Sequence, residues 1–187
     1  MTIYKSLNNQ KLINIIKSGG LAVIPTDTIY GIITSATNEK AVKKVYEIKN
    51  RTPEKPFIIL IADISDLGIF NVSLPIDLLS SLSDYWPGPN SLILSCNDLK
   101  FDYLSRGTKT LALRLPNDKL LRDFVRQTGP LVAPSANPEG HKPAINIDEA
   151  INYFDNKIDF FVDAGVISNK QPSNLIDLTN SFPIKLR

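Results

Sequence analysis

The sequence predicts an α/β fold in which helices flank a mixed parallel and antiparallel sheet. Short apolar runs that suit buried strands alternate with amphipathic helical segments in the first part of the chain. Strand-like runs predominate in the last part, which favours a mixed sheet. The chain has 187 residues, a length typical of one domain, so we expect residues 1–187 to form a single domain.

Helices are predicted where apolar side chains recur at helical spacing between capping and stopping residues. The first covers residues 8–18 and ends at Gly19-Gly20, which is a favourable C-terminal stop. Asn38 is a good N-cap for a second helix over about residues 39–49. Three further helices are predicted on similar grounds: one that starts at Pro75, one capped by Asn117, and one near 147–154 that begins after Asn146.

Strands are predicted at short apolar runs bounded by polar loops, glycine or proline. These runs lie at residues 21–25, 57–62, 91–96, 110–116, 131–134, 159–163, 175–178 and 184–187. Loops are predicted at residues 26–31, 135–140 and 164–173.

The composition excludes several classes of protein. The chain carries 21 Lys and Arg against 19 Asp and Glu, a net charge of +2, so it is neither a strongly basic nucleic-acid clamp nor a polyacidic protein. A single cysteine and a single histidine leave no intrachain disulfide and no metal site that needs two histidines. The N-terminus lacks the apolar segment of a secretory signal, and the longest apolar run is far shorter than the roughly 20 residues of a membrane span. We therefore expect a cytoplasmic protein.

The first candidate site follows the strand at 21–25. The common nucleotide and nucleophile motifs GxGxxG, GxxxxGK[ST] and GxSxG are absent. Instead, Thr26, Asp27 and Thr28 open a polar loop. Ligands often bind at the carboxyl ends of strands in α/β sheets, but the same string also suits an ordinary Asx or Thr turn.

Cations mark the next candidates. Lys49 and Arg51, followed by Lys55, can hold an anion, or they are simply the basic residues that the helix dipole favours in a last turn. Arg114 stands in an otherwise apolar strand, where an arginine without a partner is costly to bury. Arg114 therefore either points to solvent at a sheet edge or reaches an anionic ligand.

Hydroxyl and amide side chains form the remaining candidates. Ser135 and Asn137 follow the strand at 131–134 and offer a short hydrogen-bonding ledge, although a turn also explains them. Ser173 and Arg187 form a weaker cluster late in the chain.

Taken in order, these strings resemble the YrdC-type threonylcarbamoyl-AMP synthase family. The matching strings are PTDTIYG, KxR, WPGP, LRLP, APSAN and PSNLIDL, and the resemblance runs from about residue 8 to residue 187. It implies an open twisted sheet of the YrdC-like α/β kind and a short, single-domain member of the family.

The resemblance also implies an enzyme, a nucleotidyltransferase. Members of the family make threonylcarbamoyl-AMP and pyrophosphate from L-threonine, bicarbonate or CO2, and ATP. We expect Mg²⁺ to be carried by ATP, with no metal site built from the protein's own side chains. Other proteins of the pathway then transfer the threonylcarbamoyl group to adenosine 37 of tRNAs that read ANN codons.

Residue roles follow from the family's motifs. The resemblance implies that Lys49 and Arg51 are catalytic. It assigns the threonine site to Thr28, Arg114, Ala133 and Ser173, and the ATP site to Arg51, Lys55, Thr110, Ser135, Asn137 and Arg187.

A translation or ribosome-assembly factor is neither supported nor excluded by the sequence, and two more specific alternatives are considered at this point. One is a module that binds double-stranded RNA or tRNA without catalysis, through a basic concave face formed by Lys43, Lys44, Lys49, Arg51 and Lys55. The other is a carbamoyl-transfer domain of the kind found in hydrogenase maturation proteins. Those proteins carry cysteine-rich zinc motifs, and this chain has one cysteine.

Overall fold

A computed structural model of the chain describes residues 2–72, 74, 78, 82–168, 170–180 and 182–187. Within these residues, ten strands form one sheet. In chain order the strands are β1 (Thr2–Tyr4), β2 (Ala22–Pro25), β3 (Tyr30–Ser35), β4 (Ile58–Leu60), β5 (Asn90–Ser95), β6 (Thr110–Arg114), β7 (Leu131–Val132), β8 (Phe160–Val162), β9 (Asn174–Asp177) and β10 (Ile184–Lys185).

Helices connect and cover these strands. The α-helices of the described residues are α1 (Gln10–Lys17), α2 (Glu39–Lys49), α3 (Asp102–Ser105), α4 (Lys119–Thr128) and α5 (Ile147–Phe154). Short 3-10 helices cover Ile64–Phe70, Leu82–Asp84, Leu99–Phe101 and Asp155–Lys157. None of the helices described is both long enough and apolar enough to cross a bilayer.

The sheet mixes both strand directions, as predicted. Its strand order is β1-β8-β2-β3-β7-β4-β6-β5-β9-β10. Strand β8 pairs in parallel with β1 and β2, β4 with β6, and β5 with β9, while the other neighbours are antiparallel. Strand β6 therefore lies in the interior of the sheet, between β4 and β5, so the side chain that it carries at Arg114 is not at an edge.

Two apolar cores lie on opposite faces of the sheet. Strand β2 shows the alternation, because Val23 packs into one core while Ala22 and Ile24 pack into the other. Helices α2 and α5 bury their apolar faces in the first core, and α1 and α4 bury theirs in the second. Each fully buried aliphatic side chain contributes about 1.5–3 kcal/mol. The sheet is thus fixed on both sides, and the loops at its strand ends are held on a rigid frame.

Side-chain caps determine where the helices start. Asn38 and Asn146 cap α2 and α5, as predicted. The prediction that Asn117 caps α4 is wrong by one residue, because Asp118 is the cap. The backbone amide of Asn117 instead donates to the carboxylate of Asp27, at 3.2 Å.

Strands β1 and β3 are absent from the sequence prediction. Strand β3 begins at Tyr30, inside the segment predicted as a loop. Its polar residues hide the strand pattern, but tertiary contacts satisfy them, as where the Thr34 hydroxyl donates to the carbonyl of Gly20 at 2.8 Å. The start of the helix predicted at Pro75 lies outside the described residues.

Candidate functional site

A cleft of about 320 Å³ brings together loops that are far apart in the chain. Its walls come from the β2–β3 loop, the segments that follow α2 and β7, strand β6, and the end of the chain. Eight of the predicted site residues line it: Thr28, Arg51, Thr110, Arg114, Ala133, Ser135, Ser173 and Arg187. The volume lies within the range of small-molecule sites, which is about 300–1,000 Å³.

Two threonines form the inner end of the cleft, in the β2–β3 loop. The Thr26 hydroxyl donates its only proton to the carbonyl of Ile29, at 2.7 Å. The Thr26 oxygen also accepts from the backbone amides of Thr28 and Ile29, at 3.2 Å each, and lies 3.0 Å from the Thr28 hydroxyl oxygen. Arg114 donates to the Thr28 hydroxyl, at 3.0 Å. With one lone pair occupied by the bond from Arg114, the Thr28 oxygen retains an acceptor position for a ligand group that donates a hydrogen bond.

Arg114 is buried against the same loop. Only 3% of its side chain is exposed, and one terminal nitrogen lies 3.2 Å from a carboxylate oxygen of Asp27. Burial is the main cause that lowers the pKa of Arg114, and the charge of Asp27 opposes this effect. The Nε of Arg114 has no hydrogen-bond partner among the described residues. Of the two predicted alternatives, the exposed edge position is therefore wrong, and Arg114 lines the cleft instead.

Two further arginines form the outer end of the cleft. The Arg51 guanidinium lies 5.9 Å from the centre of the Phe57 ring, and the Nε of Arg51 has no hydrogen-bond partner among the described residues. Arg187 donates to the carbonyl of Ser173 at 3.1 Å. Burial, followed by the charge of Arg51, lowers the pKa of Arg187. In the part of the chain that the structure describes, neither Arg51 nor Arg187 forms an ion pair with a carboxylate.

Lys49 lies beneath the cleft and does not line it. Its ammonium is buried and donates to the carbonyls of Ser135, at 2.5 Å, and of Asn137. Burial lowers the pKa of Lys49 to about 7, and the nearby charge of Arg51 acts in the same direction. Lys49 thus supports the loop after β7 from below, and its catalytic role stays a prediction.

Lys55 and Asn137 also lie outside the cleft lining. The Lys55 ammonium forms a 2.6 Å ion pair with Glu139. The amide group of Asn137 donates to the carbonyls of Pro138 and His141, at 2.9 and 2.8 Å, and so shapes its own loop. The predicted ATP contacts of these two residues stay predictions.

Three residues that the sequence reasoning left without a role support the site. Asp27 forms the ion pair with Arg114. The hydroxyl oxygens of Ser91 and Ser173 lie 2.9 Å apart. Glu139 accepts hydrogen bonds from the segment that follows Arg51. A buried arginine signals that a buried acid exists, but it does not identify which one. Within the described residues, no three His, Cys, Asp or Glu side chains converge on a metal site.

The chain matches a known protein family over most of its length. Residues 14–187 match the model of the Sua5/YciO/YrdC family, which is described as "Telomere recombination". The chain is 32% identical over 175 residues to the threonylcarbamoyl-AMP synthase of Bacillus subtilis (strain 168), covering 92% of this chain and 51% of that protein. It is 31% identical over 173 residues to the threonylcarbamoyl-AMP synthase of Pyrococcus abyssi (strain GE5 / Orsay), with the same coverage of 92% and 51%. The chain thus spans about half the length of these two curated relatives.

A solved structure shares the fold. P. abyssi Sua5 complexed with L-threonine superposes with a TM-score of 0.91 at 28% identity, covering 100% of this chain and 57% of that one. This similarity confirms the predicted arrangement of an open mixed sheet with flanking helices.

Proposed function

Because the chain belongs to the Sua5/YciO/YrdC family, as its motifs predict, we propose that it is a threonylcarbamoyl-AMP synthase. It converts L-threonine, CO2 or bicarbonate, and ATP to threonylcarbamoyl-AMP and pyrophosphate. One observation carries the proposal: a single cleft joins a compact polar group around Arg114 to the guanidinium groups of Arg51 and Arg187, which have no carboxylate partner among the described residues. Such a site suits an amino acid at one end and a polyphosphate at the other.

The inner end of the cleft binds threonine. The free acceptor position on the Thr28 oxygen takes a hydrogen bond from the hydroxyl or amino group of the substrate. The guanidinium of Arg114, which lines the cleft, binds the substrate carboxylate. Ala133, in the same wall, provides an apolar contact for the substrate methyl group.

The proposed chemistry needs two steps. The neutral threonine amine attacks CO2 and loses a proton, which forms a carbon–nitrogen bond and gives an N-carboxylate. An oxygen of this carboxylate then attacks the α-phosphorus of ATP. The bond between that phosphorus and its bridging oxygen breaks, and pyrophosphate leaves. Since no side chain forms a covalent bond, the protein contributes positioning and charge stabilisation.

The outer end binds the nucleotide. Arg51 and Arg187 repel each other until an anion lies between them, and planar guanidinium groups suit phosphate oxygens. Thr110 and Ser135 line the same cleft and supply hydroxyl groups. ATP enters as its Mg²⁺ complex, and the phosphates hold the ion with few protein ligands.

We also propose what becomes of the product and where the reaction takes place. Other proteins of the pathway pass the threonylcarbamoyl group to adenosine 37 of tRNAs that read ANN codons, and the reaction takes place in the cytoplasm. The alternative of a double-stranded RNA or tRNA module receives less support. Lys49 is 2% exposed, so it cannot belong to the basic face on which that alternative depends.

A pyrophosphate-release assay tests the proposed function. We expect release when ATP, L-threonine and bicarbonate are all present, and the background rate when any one is omitted. Mass spectrometry of the product should detect threonylcarbamoyl-AMP. Release that does not depend on threonine, or no release by the full mixture, would contradict the proposal.

A further inference from the structure

The segment that carries Arg51 has no helix or strand of its own. It runs from the end of α2 at Lys49 to the start of β4 at Ile58. Arg51 must nevertheless hold its guanidinium at the outer end of the cleft. Because loop residues are usually the most mobile part of a fold, some contact outside the segment has to fix it.

Three contacts hold the backbone of this segment. The Arg51 amide donates to the carbonyl of Tyr46 at 3.0 Å, and the Tyr46 hydroxyl donates to the carbonyl of Lys55 at 3.2 Å. Arg106 donates to the carbonyl of Pro53 at 2.6 Å.

Glu139 adds a charged contact from the loop after β7. One carboxylate oxygen accepts hydrogen bonds from the Thr52 amide, at 2.6 Å, and from the Thr52 hydroxyl, at 2.8 Å. The other oxygen accepts from the Lys55 ammonium, at 2.6 Å. Both oxygens are thus used, and both hold residues that closely follow Arg51.

The contact is reciprocal. The Glu139 amide donates to the carbonyl of Lys49, at 2.8 Å, and the Lys49 ammonium donates to the carbonyl of Ser135, at 2.5 Å. The end of α2 therefore holds the loop after β7, and that loop in turn holds the segment after Arg51. The bonds from Lys55 and Thr52 lower the pKa of Glu139 to about 2, so its carboxylate is ionised at neutral pH.

We propose that Glu139 is the positioning residue that fixes the Arg51 segment over the cleft, and that it acts mainly through Thr52. This inference rests on the proposed function, because it assigns the outer end to the nucleotide. A residue whose only task were to bind the Lys55 side chain would not need the two bonds to Thr52.

Two substitutions separate the contacts of Glu139. Glu139→Ala removes all three bonds. Glu139→Gln removes the charge that faces Lys55 but keeps a carbonyl oxygen that can accept from the Thr52 amide and hydroxyl. Glu54→Ala is the matched control, since it deletes an exposed carboxylate from the same segment and no contact of that carboxylate is described.

The measurement is the affinity for a non-hydrolysable ATP analogue, with the KM values for ATP and threonine alongside. We expect Glu139→Ala to weaken analogue binding roughly 10- to 100-fold, because small misplacements of binding groups have effects of this size. The KM for threonine should change less than about twofold, and Glu139→Gln should recover analogue affinity to within about threefold of the wild type. Glu54→Ala should match the wild type.

Two results would overturn the positioning role. One is unchanged analogue affinity in Glu139→Ala while hydrogen exchange shows that the Thr52 amide has lost its protection. The other is a Gln variant as weak as the Ala variant. Should Glu139→Ala fail to fold by circular dichroism, Thr52→Pro replaces it, because proline offers neither the amide nor the hydroxyl donor to Glu139. Unchanged analogue affinity in that variant overturns the proposal.

Failure of the proposed function is distinguishable from failure of this inference. A wild-type chain that binds the analogue but releases no pyrophosphate contradicts the synthase activity, and the titration series still decides the role of Glu139. A wild-type chain that binds no analogue overturns both.

Discussion

The two ends of the cleft are built differently. At the inner end, Arg114 comes from an interior strand, is buried, and is already paired with Asp27 and Thr28. At the outer end, Arg51 and Arg187 come from a loop and from the end of the chain, and neither has a carboxylate partner among the described residues. The inner end is therefore organised before any ligand arrives, whereas the outer end has positive charge that an anionic ligand can neutralise.

This difference suits two kinds of substrate. A small zwitterion has few groups by which it can be recognised, so a fixed set of donors and acceptors is needed to select it. A polyphosphate carries several negative charges, so guanidinium groups without carboxylate partners suit it. Stability should therefore depend on the inner end, and turnover on the outer end.

The largest expected effect is on stability and comes from Arg114→Leu. The substitution leaves the Asp27 carboxylate, which is only 9% exposed, without its charge partner, and breaking a largely buried pair in this way costs about 3–5 kcal/mol. Urea unfolding measures the loss. The double variant Asp27→Asn/Arg114→Leu should recover part of it, because it carries no orphaned charge.

Arg114→Leu also tests the threonine site, at a temperature and urea concentration where the variant is folded. Arg114→Leu should weaken threonine binding more than binding of an ATP analogue. Stability within about 1 kcal/mol of the wild type would show that Asp27 does not depend on Arg114. If only nucleotide binding is weakened, Arg114 contacts the nucleotide and not threonine.

Arg51→Ala should reverse the pattern. Loss of a charge-assisted contact to the reacting phosphates is expected to raise the barrier by about 2–4 kcal/mol, or roughly 30- to 1000-fold in turnover. Stability should change little, because Arg51 forms no ion pair within the described residues and its removal relieves repulsion with Arg187. The assay is pyrophosphate release, with circular dichroism as the control. A folded variant with near-normal turnover would show that Arg51 does not contact the reacting phosphates.

Thr28→Val should change selectivity. A site that hydrogen-bonds a substrate hydroxyl rejects an isostere without it, so the wild type should prefer threonine to valine by at least about 100-fold in kcat/KM. It should prefer threonine to serine by about 10- to 100-fold, through contact with the methyl group. The variant should lose most of the first preference and little of the second. Pyrophosphate release with each amino acid gives both ratios.

A matched control for this experiment is Thr110→Val, which removes a threonine hydroxyl elsewhere in the cleft. It should leave both amino-acid ratios as they are in the wild type. If Thr28→Val also leaves both ratios unchanged, Thr28 does not contact the substrate hydroxyl.

The residues predicted for the threonine site all line the cleft, whereas Lys49, Lys55 and Asn137 do not. Local patterns mark Thr28 and Arg114 by their places beside and within strands. Those patterns left a turn and an exposed edge open, and the resemblance to the family assigned both residues to threonine.

Lys49 was expected at the reacting groups, but a position in a last helical turn does not tell whether the side chain points into a cleft or under a neighbouring loop. Glu139 was missed because its partners Thr52 and Lys55 lie more than 80 positions earlier in the chain.

Strand β3 shows the same limit within the fold. Helices α2 and α5 were predicted within a residue, since local caps and spacing specify them. Strand β3 was missed because its residues Thr34 and Ser35 are buried by contacts with distant segments, which no local pattern records.

The smallest expected effect concerns Lys49, which lies beneath the outer end of the cleft. Like Arg51, Lys49 is a cation without a carboxylate ion pair among the described residues, and burial lowers its pKa from 10.5 to about 7. Between those two pH values the unfolded chain holds a proton at Lys49 that the folded chain has released, so stability should rise with pH. Against Lys49→Met, in which this titration is absent, the wild type should gain about 1 kcal/mol between pH 7 and pH 8. Urea unfolding of both proteins at the two pH values measures the difference, and the contributions of other titrating groups cancel. If the difference in stability does not change with pH, the carbonyls of Ser135 and Asn137 keep Lys49 charged. The Lys49 ammonium would then be stabilised by partners within the protein, as the Arg114 guanidinium is at the inner end.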